Sequence, residues 1–135
     1  MTAKEYLSQA HHIDKRINSK LEQVRSLRSL AEKATSTISG AYQRGAHSVT
    51  RMEDVITKML DLEAEINADI DALVDLKRKI VTIIKRLDHA EHQTLLELRY
   101  LCFMRWEAIA VEMSYSSQHM FRLHDAALKE VEARM

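Results

Sequence analysis

Proline is absent from the 135-residue sequence, glycine occurs only as Gly40 and Gly45, and cysteine occurs only as Cys102. Because proline and glycine interrupt helices, their scarcity leaves long segments able to form continuous helix. A single cysteine excludes a disulfide within the chain, and the first residues lack the apolar segment of a signal peptide. We therefore expect a protein of the reducing cytoplasm.

Aromatic residues make up 5% of the sequence, and no segment approaches the roughly 20 apolar residues that a membrane-spanning helix needs, so we expect no membrane partner. The formal net charge is zero, and overall charge therefore does not favour nucleic acid. Its distribution is uneven: residues 1–51 contain nine Lys or Arg and four Asp or Glu, whereas residues 88–135 contain five and eight. If DNA is a partner, we expect the N-terminal segment to supply much of the attraction.

Two long segments have the apolar spacing of packed helices. From Tyr6 to Ala34, apolar or small residues recur in eight steps over 28 residues, which predicts a helix from about residue 3 to residue 36. Met52 to Leu87 gives ten steps over 35 residues and predicts a second helix. Thr2 with Glu5, and Thr50 with Glu53, are predicted to cap the two helices. Between them, residues 35–48 lose this spacing, contain both glycines and predict a loop.

The two predicted helices favour an antiparallel hairpin, since each needs a long partner for its apolar stripe. Further apolar residues widen the stripe of the second helix: Ile56, Leu60, Val74, Val81 and Ile84. We therefore expect a homodimer or a higher homo-oligomer built through the long helices, with a four-helix bundle as the arrangement. Asp88 and Glu91 repeat the capping pattern and indicate a break. We assign residues 1–87 to the oligomerising hairpin and residues 88–135 to a DNA-binding domain.

The C-terminal segment has the pattern of a helix-turn-helix. We expect three short helical units, over residues 89–101, 106–113 and 117 to about 133, with residues 114–116 as the turn between the last two. Ala110 is small where the two helices of the motif approach each other, and Ser116 is a suitable N-cap. The fold class predicted from these patterns is all-α, with a long helical hairpin followed by a helix-turn-helix.

Residues 95–131 carry a recognisable set of short motifs. They are Arg99-Tyr100-Leu101, Trp106-Glu107, Ile109-Ala110, Glu112-Met113, Tyr115-Ser116, Arg122-Leu123-His124 and Ala127-Leu128. This set resembles the fourth region of primary sigma factors, and more closely a group of small phage proteins of Gram-positive hosts related to ArpU-type late-gene regulators. The resemblance implies a regulator of phage late-gene transcription, acting on double-stranded DNA in the cytoplasm of a bacterial host. Proteins of that group carry glycine at the position of Ser114 and basic residues at those of Ser117 and Gln118.

In the DNA-binding interpretation, Ser117, Gln118, His119 and Arg122 face the major groove. Glutamine can pair with adenine and arginine with guanine, and each bidentate contact contributes about 1–3 kcal/mol of discrimination. His124 is expected either to contact a phosphate or to pack as a polar core residue, and Trp106 is expected to pack in the core. The alternative is that these exposed residues are solvated polar side chains of a terminal helix and contact no DNA.

Two other functions remain open. The chain could be a structural or adaptor protein that binds RNA polymerase or a DNA-packaging component, which the acidic balance of residues 88–135 favours. It could also resemble a small terminase subunit, which predicts a ring-shaped oligomer.

Enzyme and cofactor chemistry find little support in the sequence. We expect no catalytic activity and no cofactor, because no nucleophile, paired-carboxylate or phosphate-loop pattern stands out. Of the histidines, only His89 and His92, three residues apart, are spaced to share a helix face. Because the sequence offers no third ligand at a suitable spacing, we expect no metal. Arg44, His47 and Arg51 could touch DNA phosphate, although a solvated turn is the more ordinary interpretation.

Overall fold

The computed structural model describes residues 1–38 and 45–135, with side chains described for residues 1–34 and 51–135. In this part of the chain the fold is all-α, as predicted, and it contains no strand. The helices are α1 (Ala3–Ile38), α2 (Gly45–Lys85), α3 (Ala90–Leu96), α4 (Trp106–Met113) and α5 (Ser117–Arg134). A π-helical turn, Glu97–Leu101, follows α3 directly. None of the described helices combines the length and the apolar content that a membrane span requires.

The capping box predicted for α1 is confirmed. The Thr2 amide donates to Glu5 Oε2 at 3.2 Å, and the Glu5 amide donates to Thr2 Oγ1 at 3.1 Å. These bonds satisfy two amides that the first helical turn cannot pair internally.

The predicted loop over residues 35–48 is too long. Helix α1 continues to Ile38, and α2 begins at Gly45, five residues before the predicted cap at Thr50. Apolar spacing reports where a helix has a packing face, whereas backbone hydrogen bonding continues beyond it. Gly40 and Arg44 lie outside the described residues, as does the side chain of His47, while Arg51 is exposed on α2.

The chain divides into two compact units. The hairpin unit comprises residues 15–71, and the terminal unit comprises residues 1–14 and 72–135. In the hairpin unit α1 and α2 bury apolar side chains at Ile17, Val24, Leu62 and Ile66. Lys20 Nζ also contacts Asp69 Oδ2 at 2.7 Å, which joins an early residue of this part of α1 to a late residue of α2. The two helices therefore form the predicted antiparallel hairpin.

In the terminal unit the first turns of α1 and the last turns of α2 pack against the C-terminal helices. Its main cluster of buried residues consists of Ala3, Leu7, Ala10, Ile80, Ile84, Leu87, Leu96, Tyr100, Ala127 and Val131. The start of α1 and the end of α2 thus supply the apolar surface against which α3 and α5 pack. The functional assignment of residues 1–87 and 88–135 stays a prediction.

The break after α2 lies where expected, but its capping residue differs. The residue preceding α3 is His89, whose side chain makes no capping hydrogen bond. Asp88 instead donates its amide to Glu130 Oε1 of α5 at 2.6 Å, and its carboxylate contacts Arg134. The local capping pattern is replaced here by a carboxylate that comes from 42 residues further along the chain.

Candidate nucleic-acid interface

Helices α4 and α5 are joined by the three-residue turn predicted from the sequence. Ser114 adopts the left-handed conformation, with φ 58° and ψ 40°, which ends α4. The Tyr115 amide then donates to the Ala110 carbonyl oxygen at 2.9 Å. Ser116 is the N-cap of α5, and its Oγ accepts from the His119 amide at 3.1 Å, so the predicted cap is confirmed. Ser114 thus holds the conformation that glycine adopts most easily, at the position where the resembling proteins carry glycine.

A small apolar cluster holds the motif together. Its buried members are Leu95 of α3, Ile109 and Ala110 of α4, and Met120 of α5, and Leu98, Met104, Trp106, Met113 and Leu123 pack against them. Ala110 is 8% exposed, as expected for the small residue between the two helices. Because three helices share this cluster, the orientation of α5 depends on α3 as well as on α4.

The packing role predicted for Trp106 is confirmed. Its ring lies at the edge of the apolar cluster, and the Arg99 guanidinium lies 4.3 Å from the ring centroid. Arg99 also donates to the Met104 carbonyl oxygen at 2.9 Å, which holds the guanidinium over the indole. The His124 ring meets the indole edge-on at a centroid distance of 4.6 Å.

His124 lies in the core, so the expectation that it could contact phosphate does not hold in this structure. It is 5% exposed, and its Nε2 lies 2.7 Å from the Tyr100 hydroxyl. Burial lowers the pKa of His124 to about 4; the Asp125 carboxylate opposes this shift, whereas Lys4 and Arg99 add to it. Burial likewise raises the pKa of Tyr100 to about 12. Residue 124 is placed inward because it lies four positions after Met120 on the buried face of α5.

The other four candidate residues are exposed, on the first turns of α5: Ser117, Gln118, His119 and Arg122. The His119 ring meets Tyr115 edge-on at a centroid distance of 4.4 Å, which restrains it beside the turn. Arg105, the residue before α4, is a further exposed cation beside the motif. Exposed carboxylates are also present, at Glu107, Glu112 and Asp125. The surface therefore offers hydrogen-bonding groups without a strong excess of positive charge.

A second polar cluster lies between α3 and α5, and its third member was missed from the sequence. His89 Nδ1 and His92 Nδ1 lie 3.0 and 2.5 Å from the same oxygen, Oε2 of Glu130. Burial alone would raise the pKa of Glu130, but hydrogen bonds from His92, the Asp88 amide and His89 outweigh it and lower the pKa to about 2. Spacing along one helix revealed the histidine pair, whereas Glu130 is 38 residues from His92 and no local pattern links them.

A family model covers most of the chain, including all of α4 and all but the last two residues of α5. Residues 32–132 match the model described as "Protein of unknown function (DUF1492)". The chain belongs to the DUF1492 family. That description gives no activity, and comparisons with curated proteins and with solved structures found no match.

Proposed function

We propose that this DUF1492 protein is a DNA-binding transcriptional regulator of phage type, which reads double-stranded DNA with its α4–α5 helix-turn-helix and controls late genes. The observation that carries the proposal is the division of α5 into two sides. Met120 and His124 lie on the buried side, and Gln118 and Arg122 are exposed over the same turns. A capped helix with its outer side open is the arrangement that enters a major groove.

The exposed residues have suitable chemistry for such a groove. Gln118 offers a donor and an acceptor for adenine, and Arg122 offers two donors for guanine. Ser117 lies in the first turn of α5, where its hydroxyl and the positive end of the helix favour a phosphate oxygen. His119 provides a further donor or acceptor close to the turn.

Self-association would compensate for the weak charge of the motif. Residues 88–135 contain three more acidic than basic residues, so a single motif gains little from counterion release. In a homodimer two motifs bind as one unit, and the second contact benefits from a high effective concentration. The excess of basic residues in positions 1–51 would add attraction that is independent of DNA sequence.

A fluorescence-anisotropy titration with labelled phage promoter DNA tests the proposal. We expect saturable binding whose affinity falls steeply as salt is raised, because phosphate contacts release counterions. Arg122→Ala should reduce the preference for the promoter over random DNA by about 1–3 kcal/mol. Arg78→Ala removes an equal charge from an exposed position of α2 and should leave that preference intact. Absence of binding at low salt, or equal loss in both variants, would reject the proposal.

An adaptor function is the second candidate, favoured by apolar side chains exposed on the same two helices. Val111 of α4 is 81% exposed and Phe121 of α5 is 45% exposed, which suits a protein contact better than a groove. RNA polymerase or a DNA-packaging component would be the partner. Retention of purified polymerase after nuclease treatment, lost in Val111→Glu and kept in Arg122→Ala, would support this function. A ring-shaped oligomer in light scattering would instead support a role like that of a small terminase subunit.

A further inference from the structure

We propose that His89, His92 and Glu130 form a binding site for a divalent transition-metal ion, with zinc as the ion that fits best. The site goes beyond the DNA-binding proposal and does not depend on it. Each of the three residues offers one ligand atom, and these atoms lie within 4.8 Å of one another. The Nδ1 atoms of both histidines contact Oε2 of the glutamate.

The three atoms are close to the spacing that zinc requires. Ligand atoms around a tetrahedral ion lie about 3.3 Å apart, given zinc–ligand distances of about 2.0–2.1 Å. Glu130 Oε2 lies 3.0 Å from His89 Nδ1 and 2.5 Å from His92 Nδ1. The two rings lie side by side, with centroids 4.7 Å apart and planes inclined at 40°. An ion could therefore replace the shared hydrogen bonds after Glu130 Oε2 moves away from both rings, because its two contacts are shorter than the ligand spacing around zinc.

The chemistry of the ligands selects the class of ion. Two imidazole nitrogens and one carboxylate oxygen suit zinc and its first-row neighbours, whereas calcium and magnesium prefer sites made of oxygen alone. The carboxylate is also held in orientation, because its other oxygen, Oε1, accepts from the Asp88 amide at 2.6 Å. His92 and Glu130 side chains are 12% and 14% exposed, whereas His89 is 68% exposed. Solvent can thus reach the ion on the His89 side and supply its fourth ligand.

A bound ion would join two helices of the terminal unit. His89 immediately precedes α3, His92 lies in its first turn, and Glu130 lies in the C-terminal half of α5. Because the ligands are assembled only in the folded chain, metal binding should stabilise the fold and hold α5 against α3. The predicted role is structural, because the ion would link residues of two packed elements and the exposed residues Gln118 and Arg122 lie towards the other end of α5.

Titration of the untagged protein with zinc chloride tests the site. We expect one ion per chain by isothermal calorimetry and a rise in the unfolding temperature with zinc concentration. With cobalt(II) in place of zinc, we expect the intense visible absorption of a tetrahedral ion. His92→Ala should lower the zinc affinity by more than the roughly 10–100-fold that follows loss of an outer-shell partner.

Two further variants separate a metal site from a set of hydrogen bonds. His89→Ala removes an exposed ligand without disturbing the core, so a folded protein with weakened zinc binding is expected. His12→Ala removes an exposed histidine of α1 and should bind zinc as the parent does. If zinc fails to raise the unfolding temperature, or if His89→Ala and the parent respond alike, the three residues serve only as hydrogen-bonding partners. That result would leave the DNA-binding proposal untouched.

Discussion

Single residues in the turn and core of the helix-turn-helix set its geometry. Ser114 ends α4 in the left-handed region, which costs a residue with a Cβ atom about 1–2 kcal/mol relative to the right-handed helix. Ser116 then starts α5 by accepting the His119 amide. In this turn Ser114 therefore adopts a strained backbone conformation, and Ser116 supplies the hydrogen-bond acceptor for an amide that the first turn of α5 cannot pair.

Ser114→Gly should stabilise the protein by about 1 kcal/mol, because glycine adopts the left-handed conformation without the Cβ penalty. Ser114→Val should destabilise it by more than about 1 kcal/mol, since a β-branched residue fits this conformation worst. Urea unfolding measures both changes. As a control, Ser117→Gly places glycine in regular helix and should destabilise. A loss of stability in Ser114→Gly would contradict the left-handed turn.

His124 should make stability depend on pH. Its folded pKa of about 4 lies below the ordinary value of 6.5, so the unfolded chain binds the proton first as pH falls. Stability from the neutral ring is complete above pH 6.5 and is lost between pH 6.5 and 4, by an amount on the order of 3 kcal/mol. His124→Gln keeps a polar side chain without a titrating group and should flatten this part of the curve. Parallel curves for the two proteins in urea unfolding would show that His124 is not buried neutral.

At the scale of helices, apolar spacing alone was enough to place most of the fold. The three C-terminal helical units and the hairpin follow from positions that repeat every three or four residues, because burial of one face forms and aligns these helices. Apolar spacing does not predict the start of α2, because the helix begins at Gly45, before the first residue of the apolar pattern. The π-helical turn at Glu97–Leu101 has no local sequence signal, and it contains Tyr100, whose hydroxyl contacts His124 of α5.

Helix α2 should also mediate self-association. Ile56 and Leu60 lie four residues apart and are 47% and 60% exposed in the hairpin unit, and Ile70, four residues after the buried Ile66, is 42% exposed. Leu60→Lys with Ile70→Lys should shift the protein from an oligomer to a monomer in analytical ultracentrifugation, because charge on this stripe opposes burial. Ala68→Lys with Ala72→Lys adds the same charge at exposed positions further around α2 and should leave the oligomer intact. A monomeric parent protein would refute the predicted oligomer.

At the scale of the whole molecule, the exposed candidates were easier to predict than the polar contacts. The period of α5 placed Gln118 and Arg122 outward because it also placed Met120 inward. The sequence allows His124 either to contact a phosphate or to pack in the core, because it does not show that the Tyr100 hydroxyl pairs with the ring. Glu130 was missed because its partners come from a different helix, and only the packed structure brings them together.

Selection of bound sequences from a random DNA library tests the role of α5 most directly. The parent protein should enrich a defined motif, and a dimer should enrich two half-sites in inverted orientation. Arg122→Ala should still select DNA but lose its preference at one guanine position of each half-site, whereas Arg78→Ala should return the parent motif. If the parent enriches no motif, or if Arg122→Ala returns the parent motif unchanged, α5 is not the element that reads DNA.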